Sequence, residues 1–430
     1  MQRTMTAHTL SEKILARASG KTDVRPGDIV TARVDLAMMH DSGGPRRVRP
    51  YLERLGAKVW DPSRVVVASD HFVPAVDAES AAILALTRNW VRDNEVPNFY
   101  DMQGICHVVL QENGHLLPGM LAVGGDSHSP SGGAVGAFMV GIGATEMAGV
   151  LATGEIWLRV PETIRVEWQG ALRDGVSAKD IMLFLSRTLG TNNDYKVMEY
   201  CGSAIANMSM PERLVLCNMS AELGAKTGII APDEKTLAAI KVAGKVANED
   251  LLTWQSDADA TFLRTTSFDA AALVPQVAAP HSPANSSAVD GLEKTKIDQA
   301  YIGACTGAKL DDLRMAAKVL RGQKVAKGVR LLIAPASTRT THAATKDGTL
   351  ETLTAAGAIL LPSGCGACAG YGAGILAENE VCITSTARNF KGRMGHSTSY
   401  VYLGSPYTVA ASAVTGYIAD PRQFLSETHS

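Results

Sequence analysis

Short, continuous apolar runs alternate with amphipathic stretches along most of this chain. "SRVVVASDHFVP" (63–74) reads as a buried strand entering a polar loop, and "MLAVGGDSHSPSGG" (120–133) repeats that design. "DQAYIGACTG" (298–307) and "VRLLIAPAS" (329–337) are again short apolar runs followed by small-residue loops. Between them, "AAILALTRNWVRDN" (81–94) and "TEMAGVLATGEI" (145–156) have helical spacing. Near the start, Thr9 and Glu12 form the pattern of a helix capping box, and Gly20 supplies the stop. Strands alternating with helices predict an α/β protein with mostly parallel sheets. The Pro-, Ala- and Ser-rich run at 274–291 lacks periodicity and reads as a linker. A new strand pattern begins near 160. No repeat of fixed period is evident.

Composition narrows the function. The chain has 430 residues, enough for two to four domains, and a formal net charge of −2. That charge implies no general attraction to nucleic acid or anionic lipid. The apolar runs are too short and glycine-rich to span a bilayer, and the start has no signal-peptide core. A cytoplasmic protein is expected, with no membrane partner and no nucleic acid. Seven cysteines in so large a chain do not suggest a disulfide framework. Cys217 and Cys382 sit in apolar runs and read as small buried hydrophobes.

Chemistry-bearing residues gather where strands end, the usual place for ligands in α/β proteins. "ASDHF" carries Asp70 and His71; "GGDSHS" carries Asp126, Ser127 and His128; "AMMHDSGG" carries His40 and Asp41. His107 and Glu199 are further candidates. Adjacent acid and imidazole groups can tune proton transfer near neutral pH. Cys305 follows an apolar strand, and Cys365 and Cys368 lie in "PSGCGACAGYGAG", where almost every neighbour is small. Three thiolates could serve a zinc ion with a fourth ligand, or an iron–sulfur cluster with one iron lacking a protein thiolate. Spacing alone leaves both open. "STARNFKGRMG" adds Arg388, Lys391 and Arg393, and guanidinium groups bind carboxylates with paired hydrogen bonds.

The segments "SDHFVP", "GDSHSPSGGAVGAFMVGIGATEMAGVLATGE", "MEYCG", "LCNMSAELGAKTGI", "PHSPANSS", "GACTG", "GCGAC" and "RNFKGR" follow one another in a recognisable order. Through them the chain resembles the aconitase superfamily, nearest the large subunits of 3-isopropylmalate dehydratase and homoaconitase-type hydro-lyases. The resemblance implies three α/β/α domains around a central iron–sulfur cleft, at about 1–160, 161–285 and 286–430, with the fourth, swivelling domain absent. It implies a [4Fe–4S] cluster with one open iron site, held by Cys305, Cys365 and Cys368. Asp70, His71, His107, Asp126, His128 and Glu199 would be catalytic. Ser127, Arg388, Arg393 and His40 would bind substrate. The implied reaction is reversible loss and addition of water beside a carboxylate, on a small di- or tricarboxylic acid. A separate small subunit would supply the swivelling domain and a catalytic serine.

Departures from the family pattern bear on the substrate. Gly307 stands where an Asn is usual, Lys309 where the isopropylmalate branch has Arg, Ala387 where an Asn precedes the Arg-Asn-Phe segment, and Ser42 where Thr is expected. Isopropylmalate, homocitrate or homoaconitate, and maleate, citraconate or dimethylmalate are all candidates. Two other classes are weaker. "GIGATE" (141–146) is a partial dinucleotide fingerprint lacking its third glycine and following a glycine-rich loop. RNA binding, known among aconitase relatives, lacks a basic stripe here.

Overall fold

Apolar runs become strands at the expected places. The computed structural model describes residues 7–425. Its first third holds β1 (Ile29–Arg33), β2 (Leu36–His40), β3 (Val65–Ser69), β4 (Asn98–Asp101), β5 (Leu121–Gly124), β6 (Phe138–Gly141) and β7 (Glu155–Arg159). Five of these form a parallel sheet in the order β4-β3-β2-β5-β6. β2 and β3 are buried at every position, as unbroken apolar runs covered on both faces must be. β1 and β7 pair antiparallel as a separate ribbon with alternating burial. The helix Leu10–Ser19 has the reciprocal Thr9–Glu12 cap and a left-handed Gly20.

The second sheet contains β8 (Thr163–Gln169), β9 (Val197–Cys201), β10 (Thr227–Ile229) and β11 (Arg264–Asp269), all parallel, in the order β10-β9-β8-β11. The third contains β12 (Gln276–Ala278), β13 (Ser286–Ala288), β14 (Gln299–Ile302), β15 (Arg330–Ile333), β16 (Ile359–Leu360), β17 (Val381–Thr384) and β18 (Tyr400–Leu403). Its order is β13-β12-β18-β17-β14-β15-β16, parallel from β18 to β16.

Two expectations need correction. The run 274–291 is not a free linker: β12 and β13 pair antiparallel, and β12 joins β18 at the sheet edge. A boundary at 285/286 would cut this hairpin. Its three-residue strands are too short to show a period, and their pairing with β18 is remote in sequence. "GIGATE" does leave a strand, β6, and open a helix, Ala144–Thr153. Glu146, however, accepts the Gly143 N–H at 3.0 Å, so that donor is already engaged.

The sheets position the loops that carry the chemistry. One apolar core runs from the second sheet (Val166, Trp168, Met198) into the third (Ala300, Ile302, Ile383). In the first sheet the chain steps outward from β2 through β3 to β4, then returns to place β5 against the other side of β2. The third sheet reverses in the same way between β14 and β17. Loops leaving neighbouring strands diverge at such points and open a crevice.

Candidate functional site

β3, β2 and β5 lie side by side, so the residues after them converge. Asp70 Oδ1 and His71 Nδ1 are 2.7 Å apart, and Asp70 Oδ2 accepts the Cys106 N–H at 2.7 Å from the first turn of the helix Cys106–Glu112. Asp41, fully buried, accepts backbone N–H groups of Ser42, His71 and Phe72 at 2.9–3.1 Å. The His40 ring stacks on His71 with centroids 4.1 Å apart, and its Nε2 is 3.7 Å from Asp126. Asp126 Oδ1 also meets His107 Nε2 at 2.9 Å and accepts the His128 N–H at 2.7 Å.

Burial and charge then separate three imidazoles. Burial alone would depress His71, but the Asp70 carboxylate, its hydrogen bond and Asp41 outweigh it and lift the group to about 9. His40 has burial and the neighbouring His71 against it, and falls to about 4. His128 is lowered by burial and by Arg388, despite Glu222. Asp126 is half-buried, and despite the desolvation its imidazole neighbours hold it well below the usual carboxylate range. At neutral pH the edge presents a protonated His71 beside neutral His40 and His128.

The thiols come from the third sheet. Cys305 follows β14 and is buried; Cys365 and Cys368 follow β16, in and before the 3₁₀ turn Gly366–Ala369. The Cys365 N–H donates to the Asp70 carbonyl at 2.7 Å, which ties the thiol loop to the first sheet's edge. Gly366 has φ +49°, a left-handed conformation that suits glycine. Cys368 is drawn towards thiolate by a hydrogen bond from Cys365, with Arg393 and Lys179 assisting against burial. Cys217 and Cys382 are fully buried, in a helix and in β17.

Arg388 follows β17 and joins all three sheets' units. Its Nε donates to Glu222 at 2.6 Å and its Nη1 to Ser127 Oγ at 2.8 Å. Glu222 also meets His128 Nε2 at 2.9 Å. Despite burial, these partners keep its pKa low. Arg393 donates to the Cys368 carbonyl at 2.8 Å. A cavity of about 450 Å³ opens beside this corner, lined by Asp126, Ser127, Arg388, Ile142, Tyr195 and Lys226 among others.

Glu199 does not belong here. It lies within β9, accepts from Ser256 Oγ at 2.8 Å, and feels Arg165, Glu12 and Lys13 rather than any residue above. The acid at the site is Glu222, in the turn Ser220–Leu223 that precedes β10. Asn218, one helical turn earlier, donates to Cys305 Sγ at 3.2 Å. Both stand in "CNMSAEL", where Asn and Glu four apart on a helical segment share a face; that spacing is the signal the sequence offers for them.

The departures at the thiol loop have local reasons. A Cβ on Gly307 would collide with Ser385, whose Oγ accepts the Gly303 N–H at 3.1 Å. Lys309 is buried, donating to the Cys305 carbonyl at 2.9 Å and to Asp312 at 2.6 Å. Ala387 is buried between this loop's partners and Arg388. Nothing in the structure explains Ser42 in place of Thr.

The donor set discriminates between the two metal readings. Zinc ligands sit about 2.0–2.3 Å from the ion, so their donor atoms crowd together. Among the described residues, the groups with donor atoms within 4.8 Å of one another are His40–Asp41–Asp70–His71 and His107–Asp126–His128; no cysteine is in either. The three thiols are not all within that distance of one another, although Cys365 and Cys368 share a hydrogen bond, and Tyr301 Oη and Asn218 Oδ1 are buried near them without hydrogen bonds. Three thiols with orphaned polar atoms beside them, rather than one compact donor set, fit a bulky inorganic cluster.

Known proteins agree with this arrangement. The family described as "Aconitase family (aconitate hydratase)" matches residues 12–295 and 290–416. The chain is 48% identical to "3-isopropylmalate dehydratase large subunit 1" of Methanopyrus kandleri, over 97% of this chain and 99% of that one. It is 48% identical to the "Probable methanogen homoaconitase large subunit" of Methanosarcina mazei, over 91% and 99%. A Pyrococcus furiosus "3-isopropylmalate dehydratase large subunit 1" is 43% identical over 97% and 99%. No helix among the described residues is long and apolar enough to cross a membrane.

Proposed function

The chain belongs to the aconitase family, which implies a [4Fe–4S] cluster, and on that footing we propose that it is the cluster-binding large subunit of a hydro-lyase of the 3-isopropylmalate dehydratase type. The observation that carries the reading is the junction of Cys365 with Asp70: thiol loop and acid–imidazole edge meet through one hydrogen bond. Cys305, Cys365 and Cys368 would hold the cluster, whose open iron would act as a Lewis acid on a hydroxyl or carboxylate oxygen.

The chain's own residues would do the rest. His71, kept protonated by Asp70, donates a proton to the departing hydroxyl and recovers it in hydration. Asp126 holds His107 in place and accepts hydrogen bonds from water at the same edge, while neutral His40, engaged by the Gly125 carbonyl and the Gly43 N–H, packs against the His71 ring. Arg388 and Ser127 clamp one substrate carboxylate, Glu222 having fixed the guanidinium plane. Arg393 adds a second cation. Abstraction of the carbon-bound proton falls to a serine on a separate small subunit, giving a heterodimer. We further propose three α/β units as expected from sequence, with the second boundary moved ahead of β12. A role in leucine synthesis follows if isopropylmalate is the substrate.

Homoaconitate is the second reading, favoured by the 48% identity to a homoaconitase large subunit. Hydration of a panel of unsaturated acids by the anaerobic complex, read by loss of ultraviolet absorbance, tests both. Turnover of isopropylmaleate supports the first reading, and turnover of homoaconitate the second. Turnover of maleate or citraconate alone would overturn both, and an iron-replete complex inert on the whole panel would sink the hydro-lyase assignment.

A further inference from the structure

One charged residue is unused by these roles. Lys179 opens the helix Ala178–Thr188, beside the second sheet, and its side chain is buried. A helix N-terminus favours anions, so its own helix does not stabilise this cation. Its Nζ donates to the carbonyls of Ser385, at 3.1 Å, and Thr386. Among the described residues it has no carboxylate partner at ion-pair distance. Burial lowers its pKa to about 8, and the Cys368 and Cys305 sulfurs and then Glu222 act against that to keep it protonated at neutral pH. A buried charge without a counter-charge is costly, so proteins rarely keep one without an anion nearby.

The carbonyls it holds matter. Ser385 also accepts from Thr306 Oγ1 at 2.9 Å and from the Gly303 N–H, which straddle Cys305. Two residues beyond Thr386 comes Arg388. A single ammonium therefore braces the Cys305 loop and the carboxylate clamp from the far side of an interface.

We propose that Lys179 is a positioning residue whose fixed positive charge balances the anionic cluster in the three-thiol cradle, while its donors hold the Ser385–Arg388 segment in register with Cys305. The inference rests on the cluster reading above.

The test uses the anaerobic complex with wild-type chain, K179M, K179Q and K179R. Iron and sulfide are counted, and the reduction potential of the cluster is followed by electron paramagnetic resonance during titration with dithionite. K179Q keeps a hydrogen-bond donor and loses the charge. It should bind the cluster yet resist reduction, its oxidised-to-reduced ratio at fixed potential rising about tenfold, equivalent to about 59 mV for one electron. K179R should stay near wild type. K179M, losing donors as well, should add a raised KM at the clamp. Loss of the cluster in K179Q with retention in K179R would also support the charge role. An iron-replete K179Q titrating with wild type would overturn it and leave the cluster reading intact. A wild-type complex without iron and sulfide would overturn both.

Discussion

The carboxyl edges of the first and third sheets are built on opposite plans. On the first, the carboxylates of Asp41, Asp70 and Asp126 are each held by backbone N–H groups or imidazoles, and the partnerless atoms are His107 Nδ1 and Ser69 Oγ rather than any carboxylate oxygen acting at the site. On the third, glycine, alanine and three thiols stand together, and Tyr301 Oη, with Asn218 Oδ1 reaching in from the second unit's helix Met210–Met219, lacks a partner. The contrast separates two jobs. Proton handling needs groups whose charge is fixed before the substrate arrives, so the carboxylates are engaged by the protein itself. Holding a large group needs room and unspent polar atoms, so that edge is finished by its occupant.

The largest expected effect strikes the unfinished edge. Cys365→Ser should abolish the cluster's visible absorbance and reduce hydration to background while leaving the circular dichroism spectrum unchanged. Retained iron and sulfide would remove Cys365 from the ligand set.

The completed edge should respond differently. Asp70→Asn should keep the cluster and lower kcat by about 10²–10⁴, the usual worth of a positioned acid or base. Stripping the partner from a buried ion pair also costs about 3–5 kcal/mol, measurable by chemical denaturation. The pH dependence has a definite sign. The folded pKa of His71 lies above its unfolded value of about 6.5, so its contribution is full below that value and is lost as pH rises through about 9. Asp70→Asn should flatten this decline; an unaltered alkaline limb would place the titration elsewhere.

A smaller effect is expected at the corner joining both edges. Glu222→Gln should raise KM by about 10- to 100-fold with the cluster intact, since a hydrogen bond to a charged group is worth about 1.5–3 kcal/mol. Unchanged KM would mean that Arg388 needs no orienting. The smallest is Glu199→Gln, expected to keep kcat and KM within about twofold because its contacts lie outside both edges. A loss of activity there would redraw the site.

Much of this is legible in the sequence because of where the residues stand. Asp70, His71, Asp126 and Cys305 directly follow buried strands, and parallel strands deliver such residues to one edge. Glu222 sits before a strand, where no strand end announces it. Glu199 is the acid that a strand does contain, but β9 turns it towards the helix Leu10–Ser19 and its neighbours. The β12–β13 hairpin is hidden because a pairing with β18, more than a hundred residues away, leaves no local period. Lys309 stands out as a change of residue type, yet only the structure reveals that Asp312 has already consumed its charge.

The Arg388–Glu222–His128 junction has a consequence for how the molecule is made. Its three members come from three regions of the chain, separated by 94 and 166 residues. None of the regions can assemble it unaided, and bringing together groups so distant in sequence costs loop-closure entropy before the contacts reward it. A partly folded chain would therefore carry thiols and imidazoles but no assembled Arg388–Glu222–His128 junction.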